Sequence, residues 1–219
     1  MTMTSSSIQV EDQLALRIEK EVRQQMDSIL ENIHKLSTEY KIADEKEKSP
    51  FRNVLAVAVE SSSSLEIIKN YIRYQVGRSG GSRIWSSRGG PEQKLFAQEL
   101  VNALDNLSKD VGQIFSRINA SLSKLSSEDL SESPEPSSEC QTLLTYLGDE
   151  NNQKVLKRSL HLELAQLYLG YLAREHTAQV GEKEANKGAN SSSSKNNQSE
   201  QKRQSPPGKP KLSKKQGRR

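Results

Sequence analysis

Between Asn70 and Pro91 the chain reads NYIRYQVGRSGGSRIWSSRGGP, a stretch of 22 residues without a carboxylate. Arg73, Arg78, Arg83 and Arg88 recur at intervals of five, and Tyr71, Tyr74 and the only tryptophan, Trp85, stand among them. Guanidinium forks pair with phosphate oxygens, and flat side chains stack on unpaired bases. With Lys69 just upstream, the combination predicts a nucleic-acid surface. Lys69, Arg73, Arg78, Arg83 and Arg88 would hold phosphates, and Tyr74 or Trp85 would stack on a base or wedge the backbone. A structural role competes at each position. Tyr71 shares an apolar helical face with Ile68 and Ile72 and reads as a packing anchor, and Lys69, Arg73 and Arg78 would also complement the C-terminal end of a helix dipole.

No other chemistry is spelled out. The glycine-rich loop has no GK[ST] and follows no strand, so it is not a nucleotide-binding phosphate loop, although a backbone nest could take one phosphate. His34, His161 and His176 are far apart, and no Cys/His spacing suits zinc. His161 and Glu163, two apart on a helix, face different ways. The expectation is a protein without a catalytic residue, metal or cofactor.

The positioning elements follow from periodicity. Leu14, Ile18, Val22, Met26, Ile29, Ile33, Leu36 and Tyr40 form an unbroken stripe at helical period over 9–42. FRNVLAVAVE (51–60) reads as a buried helix. LEIIKNYIRYQVG (65–77) reads as another, with Ile68, Tyr71, Ile72 and Val76 inward, a capping box from Ser63 to Glu66 and a left-handed cap at Gly77. Pro91 is placed to open the next helix, whose stripe runs from Leu95 to Leu125. The acidic, proline-containing 127–138 reads as a linker. CQTLLTYLG (140–148) is a short helix, and 152–176 is a last one with Val155, Leu156, Leu160, Leu164, Leu167, Tyr168, Tyr171 and Leu172 inward. No strand–turn–strand pattern or internal repeat is evident. The fold class is therefore all-α: a four- or five-helix bundle at 9–177 with a long N-terminal amphipathic helix, a disordered start at 1–8 and a disordered basic tail at 178–219.

Composition agrees. Hydrophobic residues make up only 32% of the chain and aromatics 5%, so part of it contributes little to a core. The net charge is +4, but the residues from Gly181 onward hold 11 Lys/Arg against 3 Glu, so 1–180 carries −4. A mildly acidic body with one concentrated arginine stretch favours local binding over general stickiness. The tail would add salt-sensitive affinity for phosphate backbones, serve as a nuclear address, or merely solubilise. Cys140 is the sole cysteine, and there is no apolar leader or spanning run, which together point to a reducing, cytoplasmic setting without membrane contact.

FRNVLAVAVE, IIKNYIRYQVGR with Trp85 downstream, the FAQELVNAL helix and LELAQLYLGYLAR resemble the small helical proteins of type III CRISPR modules. Helices carrying a basic patch and no catalytic centre are similar to the small subunit of those RNA-guided effector complexes. The resemblance spans about 50–177, leaving the first helix and the tail unmatched, and the chain is longer than such subunits usually are. It implies a role in antiviral defence, multimerisation along a ribonucleoprotein, and contact with RNA or a target strand through Lys69, Arg73, Arg78, Arg83 and Arg88. The expected partners are RNA, or single-stranded DNA in its place, together with other subunits or further copies of the chain. The alternative is a helical scaffold for protein partners with an accessory basic tail.

Overall fold

Six α-helices are present in the computed structural model, which describes residues 5–44, 49–60, 64–128 and 138–201. They are α1 (Ser5–Glu39), α2 (Phe51–Glu60), α3 (Leu65–Gly77), α4 (Phe96–Glu128), α5 (Ser138–Gly148) and α6 (Glu150–Gln201). Short 3-10 turns lie at Ile42–Asp44 and Arg83–Ser86. The chain divides into two units, Met1–Val180 and Gly181–Arg219. Ser5–Ile8, expected to precede the helical domain, belongs to α1, and α6 continues past Thr177 to Gln201. Residues 1–4, most of the linker and 202–219 lie outside the described residues.

The stripes bury as their spacing requires. Leu14, Val22, Ile29, Ile33 and Leu36 of α1 and Tyr40 just after it pack in the core, with Ile18 and Met26 half-buried against it. From α4, Leu100, Leu104, Leu107, Val111, Ile114, Phe115, Ile118 and Leu122 face them. Leu143 and Leu147 of α5 and Leu160, Leu164, Tyr168 and Leu172 of α6 complete the same cluster. A polar seam sets the α1–α4 register. Gln25 Nε2 donates to Asp110 at 2.6 Å, while Arg117 donates to Glu21 at 2.7 Å and to Gln25 at 2.9 Å. Several contacts tie helix α6 in. Gln166 donates to the Ala58 carbonyl at 2.9 Å, His161 Nε2 to the Leu104 carbonyl at 2.8 Å, and the His176 ring meets Phe51 edge-on at 5.6 Å. Val76, Leu125 and Val155, expected inward, are exposed, each within the first or last two turns of its helix.

Local signals diverge at three places. The N-cap of α3 is Ser64, without a side-chain cap bond; Ser63 lies outside the described residues, and Glu66 turns to Lys69 instead. Asp149 caps α6, its Oδ1 accepting from the Asn152 N–H at 2.9 Å. Pro91 opens no helix. It sits in a turn between two short antiparallel strands that the sequence pattern does not announce, β1 (Arg88–Gly89) and β2 (Lys94–Leu95). Gly90 adopts φ +71, and the Gln93 N–H donates to the Gly90 carbonyl at 3.2 Å. The fixed φ of proline suits the second position of such a turn as well as the first turn of a helix.

The hairpin lies against α1 through Gly89. A Cβ there would meet Tyr40 ring atoms at 2.9–3.2 Å, and that ring is held by Phe96 edge-on at 5.3 Å and by its hydroxyl donating to the Lys94 carbonyl at 3.2 Å. Gly89→Ala is therefore expected to cost about 1–3 kcal/mol through overpacking. Gly112→Ala, in open space on α4, is expected to stabilise by about 0.4–1 kcal/mol. Urea midpoints of the two variants check the pair, and equal midpoints would refute the close approach.

Candidate nucleic-acid interface

Helix α3 and the loop after it carry all seven residues predicted to meet nucleic acid, and the structure sorts them into two groups. The inward face of α3 is Ile68, Lys69, Ile72 and Gln75. Lys69 is only 8% exposed, and its Nζ donates to Asp105 on α4 at 2.8 Å and to Glu66 one turn back. Burial alone would lower the Lys69 pKa, but its hydrogen bonds to Asp105 and Glu66, with their negative charges, outweigh it and raise the value. This ammonium is already neutralised, so Lys69 is removed from the set of phosphate ligands. It is a strut between α3 and α4, and its second acceptor is 36 residues away, beyond any local pattern.

Trp85 is the second correction. It is 2% exposed and packs edge-on against Phe51 at 5.7 Å and tilted against Phe96 at 5.8 Å. A ring enclosed in this way offers no face to a base. The Arg83–Ser86 turn buries two successive residues, Ile84 and Trp85, a pattern neither helical nor strand-like. It is fixed by Ser82, whose side chain accepts from the Ile84 N–H at 3.4 Å, and by the Ser87 hydroxyl, which donates to the Ile84 carbonyl at 2.8 Å. Trp85 thus anchors the arginine loop to the core.

The remaining residues face outward. Arg73 and Tyr74 are exposed on the outer side of α3, Tyr74 by 57%. Gly77 is the last helical residue but does not form the left-handed cap. Arg78 takes the C-cap position with φ −71 and ψ 124, and the left-handed residue is Gly80, at φ +71. The chain reverses there, with the Gly81 N–H donating to the Arg78 carbonyl at 3.1 Å. Arg83 is exposed at the start of the 3-10 turn, and Arg88 is exposed on β1, where its guanidinium donates to the Gln93 carbonyl at 3.0 Å and braces the hairpin. The side chains of Arg73, Arg78 and Arg83 form no ion pair with a described residue. Sequence reasoning did not foresee that Tyr71, half-buried, pairs with Tyr74 at 6.0 Å between ring centroids. Their i, i+3 spacing was the available signal.

A cleft of about 890 Å³ lies between the C-terminal half of α1 and the hairpin. Glu31, Glu39, Glu92 and Glu99 line it together with Lys35, Lys94 and His34, and Lys94 is paired with Glu92. Burial, then the carboxylates of Glu99 and Glu39, raise the pKa of Tyr40 at its edge. The histidines have separate structural partners: His34 meets Glu175 at 2.9 Å, His161 the Leu104 carbonyl, and His176 the Phe51 ring. Among the described residues no group of three or more His, Cys, Asp or Glu could hold a metal, and no helix is long and apolar enough to cross a membrane.

Comparison with known protein families, curated proteins and solved structures finds no match to this chain.

Proposed function

We propose that the chain is a non-enzymatic, RNA-binding helical subunit of a cytoplasmic ribonucleoprotein. The resemblance drawn from its sequence points to an antiviral effector of the type III CRISPR kind. The observation that carries the reading is the state of Arg73, Arg78 and Arg83. They are exposed and form no ion pair with a described residue, and they lie in a carboxylate-free stretch fastened to the core by Ile84 and Trp85. Elsewhere in this body of net charge −4, Arg23 pairs with Glu19 and Arg117 with Glu21. Three arginines without such a partner, next to an exposed tyrosine, are available to a strand of phosphates. Other subunits or further copies of the chain would meet the surfaces that the strand leaves free.

The test is RNA binding across a salt series by the full chain and by a chain ending at Val180. Binding by the shorter chain, weakening steeply with salt, is the expected result. If binding disappears with the residues after Val180, the arginine surface is not the site. The reading as a protein scaffold with an accessory basic tail then replaces this one.

A further inference from the structure

We infer that the strand held at this surface is unpaired, with a base resting on Tyr74 while Arg78 holds a flanking phosphate. This rests on the nucleic-acid reading above and adds to it the strand state and the residue that reads it. With Trp85 enclosed in the core, Tyr74 is the one aromatic ring of α3 and its loop that is more than half exposed, at 57%. It does not stand alone. The Tyr71 ring lies 6.0 Å away at an interplanar angle of 39°, half-buried and packed against the core. A ring buttressed on one side has fewer rotamers to lose when a base settles on the other, so stacking there costs less entropy than on a free side chain.

Helical spacing arranges the rest. Ile67, Tyr71, Tyr74 and Arg78 recur at i, i+4, i+7 and i+11, which places them along one outer line of α3. Ile67 is exposed, so the line runs from an aliphatic end through the two rings to a guanidinium. Arg73, one residue before Tyr74, projects about 100° round the helix from that line, toward a different part of the surface. The backbone is open at a glycine on either side of Arg78: a Cβ at Gly77 or Gly80 would touch nothing within 4 Å. That leaves room for a sugar-phosphate to approach the arginine. The one acidic residue of α3, Glu66, is held by Lys69, so no free carboxylate of the helix opposes the strand. A duplex cannot use this surface fully, because its bases are stacked on each other and a paired helix presents only its backbone and groove edges. The arginines would still attract a duplex, while the rings would contribute nothing.

Full-chain protein is titrated with a short labelled RNA, single-stranded or annealed to its complement, for the wild type, Tyr74→Leu and Tyr74→Phe. The wild type is expected to prefer the single strand by about tenfold. Tyr74→Leu keeps an apolar side chain but removes the stacking face. It should lose about tenfold in single-strand affinity, with duplex affinity and the salt slope unchanged, and Tyr74→Phe should retain wild-type binding. Equal wild-type affinity for the two RNAs, or wild-type single-strand binding by Tyr74→Leu, overturns this inference and leaves the arginine surface standing. Absence of RNA binding by the wild type overturns both.

Discussion

Trp85→Ala is expected to destabilise the protein by about 3–5 kcal/mol, the usual cost of removing a large buried aromatic. The ring is 2% exposed and touches Phe51 and Phe96, the first residues of α2 and α4. Its removal therefore opens a cavity where two helices and the arginine loop converge. Against a typical total of about 5–15 kcal/mol, the loss consumes a large share of the stability of the fold. Trp85→Phe retains an aromatic ring in the same rotameric slot and should cost less. Urea denaturation of the three proteins gives the comparison. As the only tryptophan, Trp85 also reports directly on its own surroundings. Its emission should be shielded from a soluble quencher and should not change when RNA is added. A Trp85→Ala protein as stable as the wild type but impaired in RNA binding would mean that the ring serves a ligand and not the core.

The sequence holds the helices plainly and the site only in part, for one physical reason. A helix repeats its instruction at every turn, so the seven stripe positions within α1 and the nine buried ones within α4 each confirm the same face. The loop after α3 carries no repeat. Whether Trp85 turns in or out depends on a 3-10 turn set by Ser82 and Ser87, and on Phe51 and Phe96, which arrive from other helices. Lys69 was ambiguous for a similar reason. An i, i+3 partner at Glu66 is visible locally, but Asp105 comes from α4 and becomes a neighbour only on folding. The arginines are a different case. The absence of carboxylates from 70–91 is a property of the sequence itself, and it carries over into a surface where three guanidinium groups have no described ionic partner. Pro91 and Gly90 mark a change of direction without saying which. A hairpin turn and a helix start satisfy the same φ, and only the fit of Gly89 beneath the Tyr40 ring selects the hairpin.

Replacing Arg73, Arg78 and Arg83 together with alanine should lower RNA affinity at least about tenfold, with the salt dependence falling by about 2 in the log–log slope. The slope is the more telling quantity. Each phosphate contact on a single strand contributes about 0.7 to it through counterion release, so three lost contacts have a defined signature that a general loss of folding does not share. Folding itself should be undisturbed, because none of the three side chains is buried or ion-paired with a described residue. Surface substitutions of this kind usually move stability by less than about 0.5 kcal/mol. Arg88→Ala is the internal control. Its guanidinium is engaged with the Gln93 carbonyl, so its loss should loosen the hairpin and change the slope little. Binding isotherms at several salt concentrations, with a urea midpoint for each variant, separate the two effects. An unchanged slope in the triple variant would show that the phosphates are held elsewhere, however suitable the arginines look.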